Sequence, residues 1–206
     1  SSGLQNSETI GSVSVAYGTG AAATAAVGTY TGSVTPSAAT GGTFTAGNYN
    51  ITYNTGNIVV GQANLSFTAT AVNKTYGTAL TGGTGSTAFT SSGLQNSETI
   101  GSVTIAYGTG AAATSAVGTY TGSVTPSAAT GGTFTAGNYN ITYNTGNIVV
   151  GQANLSITAT AVNKTYGNTL TGGTGSTAFT SSGLQNSETI GSVSLAYGTG
   201  AAATAA

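Results

Sequence analysis

Apolar and polar residues alternate along several short stretches of the chain, which is the pattern of half-buried β-strands. The alternation is clearest over residues 65–71, where Leu, Phe and Ala are separated by Ser and Thr. Residues 103–107, 120–124 and 139–143 carry three further candidates, each with aromatic or branched side chains on one face. These stretches predict strands, and no long stretch carries a 3.6-residue period. We therefore expect an all-β protein.

Turn signals place the candidate strands relative to one another. The segment Asn-Thr-Gly-Asn at 144–147 precedes the apolar run 148–150. It predicts a hairpin in which 148–150 pairs with 139–143. Residues 86–90 predict a short strand around Ala88 and Phe89. The one weak helical candidate covers residues 92–99.

The strand pattern recurs with a period of 90 residues. The segment beginning SSGLQNSETIGSV starts at Ser1, and its first dozen residues return at Ser91 and Ser181. Residues 1–90 differ from 91–180 at six positions, which are Ser14/Thr104, Val15/Ile105, Ala25/Ser115, Phe67/Ile157, Thr78/Asn168 and Ala79/Thr169. Two of the six exchange one apolar residue for another, as core positions tolerate. Ninety residues suffice for a small domain with its own core, so we predict a tandem array.

The composition narrows the class of partner. Only 2 % of the residues are charged and the net charge is −1, so the chain has no electrostatic footprint for nucleic acid. No apolar run is long enough to span a membrane, and we predict no membrane insertion for this segment. Cysteine is absent, whereas small secreted animal domains usually carry disulfides. We expect a bacterial exported protein, located outside the cell or at its surface.

The order of short motifs resembles a known family. ANLSFTATAVNKTYG, from Ala63, is similar to the opening of MBG-type modules (the YGX class) of very large bacterial surface proteins. TSSGLQNSET, GTYTGSVTPSA and GNYNITYNTGNIVV resemble the segments that follow in that family. Family members often carry Asp in the turns, and this chain has none.

The resemblance also moves the frame of the repeat. It implies one complete module at 63–152, the later part of a preceding module at 1–62, and the opening of the next module at 153–206. We therefore expect the chain to begin and end inside modules, with short and stiff connections between them. For the module fold we favour an Ig-like β-sandwich, from the strand count and the regular turn signals. A β-grasp-like module is the alternative if residues 92–99 are helical.

The residue types required by common catalytic and metal sites are missing. Histidine, cysteine and aspartate are all absent. Their absence excludes the usual general bases, the Ser-His-Asp and Cys-His arrangements, and most metal clusters. We predict no enzymatic activity, no cofactor and no metal.

Each repeat carries one lysine and one glutamate, which are Lys74 and Glu98 in 63–152 and Lys164 and Glu188 in the next copy. Three interpretations are open. The residues are solvated turn residues, as these types usually are, or they form ion pairs. The third is a Lys–Asn isopeptide bond with the glutamate as proton shuttle, which requires a neutral lysine.

Eleven tyrosines recur at fixed positions, which in the first period are Tyr17, Tyr30, Tyr49, Tyr53 and Tyr76. We interpret them mainly as packing residues with the hydroxyl at the rim of the core, and alternatively as a surface on which glycans stack. Tyr76 is expected to anchor a turn in which Gly77 supplies a positive φ. Three N-glycosylation sequons begin at Asn50, Asn64 and Asn73, as expected by chance in so Asn/Thr-rich a chain.

Two functions from different classes follow. The first is a structural, non-catalytic repeat of an extracellular filament or adhesin stalk. Its partners are copies of itself or the rest of a longer chain, with strand sharing by 148–150 or 65–71 between modules. The second is a repeated weak binding module for surface glycans or proteins, acting by avidity.

Overall fold

The computed structural model describes residues 1–204, and this part of the chain is built of β-strands. Its helical segments are three 3-10 turns of three residues each, at Ala46–Asn48, Ala136–Asn138 and Thr199–Ala201. The strands are, in chain order, β1 Ile10–Tyr17, β2 Gly28–Gly42, β3 Gly56–Val60, β4 Ala63–Ala69, β5 Val72–Thr75, β6 Gly83–Ser86, β7 Phe89–Ser92, β8 Ile100–Tyr107, β9 Gly118–Gly132, β10 Tyr139–Asn144, β11 Gly146–Gly151, β12 Ser156–Ala159, β13 Gly173–Ser176, β14 Phe179–Ser182 and β15 Val193–Leu195.

The chain divides into two compact units, each assembled from three separate stretches. The first unit comprises Ser1–Thr68, Phe89–Val103 and Ala128–Asn144. The second comprises Ala69–Ala88, Thr104–Ser127 and Thr145–Ala206.

The first unit contains two three-stranded sheets. One has the order β1-β2-β3 with antiparallel neighbours. The other has the order β10-β4-β7, in which β10 and β4 run parallel and pair residue by residue from Tyr139↔Ala63 to Asn144↔Thr68. Phe67 of β4 stacks on Tyr143 with ring centroids 5.3 Å apart and meets Phe89 at 5.6 Å. Paired rings of this kind add to the stabilisation that apolar burial gives.

The second unit contains the pairings of a five-stranded sheet with the order β5-β11-β9-β8-β6. In it β11 is antiparallel to β9 and parallel to β5. Two short antiparallel pairs, β12-β14 and β13-β15, complete this unit.

The predicted strands are confirmed, but the predicted hairpin is wrong. Strands β4, β8, β9, β10 and β11 cover the five stretches that the alternation marked. However, β10 and β11 belong to different sheets, because β10 pairs with β4 while β11 pairs with β9 and β5. A single residue, Thr145, separates them. The turn signal was correct as a break in the strand, but it carried no information about the partner.

Two shorter predictions also need correction. Residues 92–99 are not helical, because Asn96 and Ser97 have φ values of 52° and 58°, outside the right-handed helical region. The single strand predicted over 86–90 is replaced by two, β6 and β7, with Thr87 and Ala88 between them.

Identical sequences take different structures in different copies. The hexapeptide Tyr-Asn-Ile-Thr-Tyr-Asn forms strand β10 at 139–144, but residues 49–54 are not a strand. Likewise Val-Asn-Lys-Thr forms β5 at 72–75 but no strand at 162–165. Strand β10 has β4 as its partner and β5 has β11, whereas the sequence has no counterpart of β4 before 49–54 and none of β11 after 162–165. Pairing, and not local propensity, decides whether these segments become strands.

Burial follows the same rule. Leu65 and Phe67 are 1 % and 0 % exposed, whereas their counterparts Leu155 and Ile157 are each 48 % exposed. With the exception of Ala39, the buried hydrophobic residues of the described chain all lie between 65 and 150.

Candidate functional site at the joint between repeat copies

A tight turn recurs at the same place in each copy of the repeat and is called here the donor turn, residues 5–8, 95–98 and 185–188. In the central copy the Glu98 N–H donates to the Gln95 carbonyl at 2.9 Å. The two residues between them, Asn96 and Ser97, are both left-handed, and the same is true of the other two copies. Asparagine tolerates this conformation better than most residues, because its short amide hydrogen-bonds locally.

A tyrosine from the same copy closes the donor turn. The Tyr139 hydroxyl accepts the Gln95 N–H at 3.0 Å and donates to the Glu98 carboxylate. Tyr49 makes the same two bonds, to Gln5 and Glu8. The donor turn is therefore held from two sides in both copies.

The second element of the site is a loop that we call the acceptor loop, residues 21–23, 111–113 and 201–203. In the central copy Lys74 Nζ donates to the carbonyls of Thr78, at 2.8 Å, and of Ala111, at 3.2 Å, and also to that of Ala112. Lys74 is only 8 % exposed. Hydrogen bonds from an ammonium group to carbonyls are stronger than those between neutral groups. The lysine therefore fixes the loop.

Backbone bonds complete the acceptor loop. The Leu80 N–H donates to the Ala111 carbonyl at 2.9 Å, and the Gly77 N–H to the Ala113 carbonyl at 3.0 Å. Gly77 has φ of +94°, as expected for its turn. A side chain at this position would also collide with Gln185 of the next copy.

The donor turn of one copy meets the acceptor loop of the copy before it, and the contact repeats. Asn96 Nδ2 donates to the Ala23 carbonyl at 3.2 Å. Ninety residues later, Asn186 Nδ2 donates to the Ala113 carbonyl at the same 3.2 Å. One contact lies wholly in the first unit and the other wholly in the second. We call this contact the joint.

Each joint has further bonds. At the first, the Val27 N–H donates to Asn138 Oδ1 at 3.0 Å, and Gln62 Nε2 donates to the Gly137 carbonyl at 3.1 Å. At the second, the Tyr76 hydroxyl donates to Glu188 Oε1 at 2.6 Å. Both joints are polar and are built largely from uncharged groups.

A cleft opens at each joint. The first, of about 480 Å³, is lined by residues that include Ala23, Val27, Gln95, Glu98 and Tyr139. The second, of about 410 Å³, is lined by residues that include Tyr76, Val117, Gln185 and Glu188. Val27 and Val117 are equivalent, as are Gln95 and Gln185 and the two glutamates. Amide, carboxylate and tyrosine groups therefore line a cleft at both places.

The structure gives each of the four candidate charged residues a partner. Lys74 and Lys164 donate to backbone carbonyls, those of Lys164 being Asn168 and Ala202. Glu98 and Glu188 accept tyrosine hydroxyls. Lys74 is buried, so the interpretation of a solvated turn residue is wrong for it.

The ion pair and the isopeptide bond stay predictions. An isopeptide bond between Lys74 and an asparagine would release ammonia, so intact-protein mass spectrometry of the whole chain tests it. A deficit of about 17 Da per crosslink supports the bond, by the mass balance of amide formation. A mass equal to the uncrosslinked sum contradicts it.

Alkaline titration reports on the tyrosine that closes the donor turn. Burial and the hydrogen bond to Glu98 raise the pKa of Tyr139 above its ordinary value, since both oppose ionisation. The hydrogen bond to Glu8 raises the pKa of Tyr49. A raised pKa contributes stability below the unfolded pKa of about 10, and this stability is lost as the pH rises through the folded value.

We therefore expect the free energy of unfolding to fall above pH 10, and to fall less steeply in Tyr139→Phe. Urea titrations at pH 8 to 11.5 measure this dependence. Tyr166→Phe is the matched control, because Tyr166 is 78 % exposed. An equal slope in Tyr139→Phe and in the unsubstituted chain would contradict the assignment.

Analysis of the sequence missed the asparagine of the donor turn and the acceptor loop. The turn was assigned to a weak helix, although the recurring Asn-Ser pair signals a left-handed turn. The acceptor loop offers no signal, because it acts through alanine carbonyls. The tyrosines were interpreted correctly as packing residues for Tyr143 and Tyr139, whose rings contact Phe67 and Phe134.

No group of three or more His, Cys, Asp or Glu that could hold a metal ion occurs among residues 1–204. Within the same range, no helix is both long and apolar enough to cross a membrane.

Comparison with known families gives one match. Residues 65–149 match the family model described as the MBG domain (YGX type). This domain is a repeat module of surface proteins and is not a known enzymatic family. No curated protein and no solved structure gives a significant match.

Proposed function

Residues 65–149 form an MBG domain of the YGX type, and we propose from this that the chain is a structural, non-catalytic stretch of a bacterial extracellular filament or adhesin stalk. The observation that carries the proposal is the repeated joint. The Asn96–Ala23 and Asn186–Ala113 bonds have the same length and lie 90 residues apart. A contact that recurs with the sequence period lets an array extend by identical steps.

The connections between copies support a stiff array. Strand β3 ends at Val60 and β4 begins at Ala63, so two residues join the last strand of one copy to the first of the next. Glycine- and serine-rich linkers of many residues behave as flexible coils, whereas a two-residue connection next to hydrogen-bonded groups leaves little freedom.

For the single module we propose an Ig-like β-sandwich over 63–152. This range contains the three-stranded sheet β10-β4-β7 and the five-stranded sheet β5-β11-β9-β8-β6. The absence of a helix at 92–99 removes the reason for the β-grasp-like alternative.

Strand sharing between copies is the assembly step that we propose. The two candidate donors, 65–71 and 148–150, are paired inside 63–152. The segment 49–54, identical in sequence to β10, is unpaired and fits an opening strand of the β4 sequence. Such pairing would use the same register as β10 and β4.

Arrays of two to eight repeats test the proposal. We expect the maximum dimension from small-angle X-ray scattering to grow linearly with the number of repeats. The matched control carries a flexible 20-residue Gly/Ser insertion between Gly61 and Gln62 and at each equivalent position. Its dimension should grow roughly as the square root of length. Square-root growth in the uninterrupted array would overturn the proposal of a stalk.

A second candidate function is weak glycan binding by avidity. The observation that favours it is the pair of equivalent clefts lined by amide, carboxylate and tyrosine groups. Saturable binding of the whole chain on a glycan array supports it, provided that Gln95→Ala with Gln185→Ala abolishes the signal. Binding that survives both substitutions places the site elsewhere.

A further inference from the structure

The donor turn keeps its shape in a copy that has no preceding copy in this sequence. Asn6 and Ser7 have φ of 51° and 60°, against 52° and 58° at Asn96 and Ser97. The Glu8 N–H donates to the Gln5 carbonyl at 2.9 Å, as in the central copy. A conformation that is unfavourable for most residues is therefore held by bonds within the copy, without help from a joint.

The acceptor loop keeps its shape in the same way. At 201–203 no further copy follows in the sequence, yet the Gly167 N–H donates to the Ala203 carbonyl at 3.1 Å and the Leu170 N–H to the Ala201 carbonyl at 3.0 Å. Lys164 donates to the Ala202 carbonyl. These are the counterparts of the bonds made by Gly77, Leu80 and Lys74.

We propose that the donor turn is a preformed docking site whose partner is the acceptor loop of another copy of this repeat, and that the asparagine amide is its specificity contact. The two charged residues of the repeat are positioning residues for this contact. Lysine fixes the acceptor loop, and glutamate fixes the donor turn through the tyrosine of its own copy. This inference rests on the proposed function only in taking successive copies as the natural partners.

Preformation has a physical consequence for docking. Both surfaces are ordered before they meet, so little conformational entropy is lost on contact. The glutamate has two carboxylate oxygens and can accept two hydroxyls. It receives a tyrosine of its own copy at Glu98 Oε2 and one of the preceding copy, Tyr76, at Glu188 Oε1. A copy with neighbours on both sides would make both bonds at one carboxylate.

The Val27 amide provides a reporter for the first joint. Its N–H donates to Asn138 Oδ1, across the joint, at 3.0 Å. Hydrogen exchange at Val27 therefore requires the joint to open. Peptides from the two equivalent regions differ in mass because residue 25 is alanine and residue 115 is serine, so mass spectrometry separates them.

The experiment compares Asn96→Gly with Asn6→Gly in the whole chain. Glycine accepts the left-handed conformation, so the substitution removes the amide and keeps the turn. Asn96→Gly should accelerate exchange at Val27 by roughly 2- to 12-fold, the factor expected for one lost hydrogen bond. Asn6→Gly is the same change in a donor turn without a preceding copy, and should leave Val27 unchanged. Exchange in β8 serves as the folding control and should match in both variants.

Unchanged exchange at Val27 in Asn96→Gly, or equal acceleration in both variants, would overturn the proposal. So would acceleration that extends into β8, since it would mark general destabilisation. The result is independent of the scattering test. A flexible array whose Asn96→Gly variant still opens the joint contradicts the stalk and leaves the docking site intact.

Discussion

Replacing Phe67 with alanine lowers the free energy of unfolding by about 3–5 kcal/mol, the usual cost of deleting a buried aromatic side chain. Phe67 is 0 % exposed, stacks on Tyr143 and meets Phe89. The substitution leaves a cavity between two rings that cannot both close on it. Urea unfolding followed by tyrosine fluorescence measures the change, since the chain contains no tryptophan.

The next copy supplies the matched control for Phe67. Ile157 occupies the equivalent position but is 48 % exposed. Ile157→Ala should therefore cost about 1 kcal/mol or less, because little apolar area returns to water. A comparable loss in the two variants would show that the core does not lie where the structure places it.

Replacing Lys74 with methionine is the second large change and should cost about 2–3 kcal/mol. Methionine keeps most of the length and volume of the side chain but donates no hydrogen bond. Three carbonyls, those of Thr78, Ala111 and Ala112, lose their charged donor at a site that is largely closed to water. Urea unfolding measures the loss, and hydrogen exchange of residues 109–116 should increase at the same time.

Lys164→Met is the control for this prediction. Lys164 makes two carbonyl bonds and is less buried than Lys74. Its replacement should cost about 1 kcal/mol or less. A neutral result for Lys74→Met, with unchanged exchange in the loop, would mean that the backbone bonds of Leu80 and Gly77 suffice to order it.

The positions of the strands could be predicted from the sequence because alternation is a local property. Leu65 and Phe67 on one face of β4, and Val103 and Ile105 on one face of β8, are buried as the period of two required. Partners could not be predicted in this way. β10 pairs with β4, which lies 76 residues earlier in register, and nothing in the hexapeptide itself distinguishes this partner from β11.

The candidate site could be predicted only in part. The single lysine and glutamate of each repeat were identified as notable residues, since charge is so rare in this chain. Their roles were not, because each acts on groups that sequence patterns do not mark. Lys74 bonds to backbone carbonyls, and Glu98 to a tyrosine hydroxyl 41 residues away.

The sequence by itself determined the period of 90 residues, the all-β class, the strand positions and the family resemblance, which the family match confirms. All four depend on residue order alone. Tertiary structure decided which copies of an identical segment become strands. Tyr-Asn-Ile-Thr-Tyr-Asn is a strand at 139–144 and not at 49–54, because a strand's backbone groups need a partner and only β10 has one. Tertiary structure also decided the joint, since the donor turn becomes a docking site only when an alanine carbonyl from the preceding copy lies within reach of its asparagine.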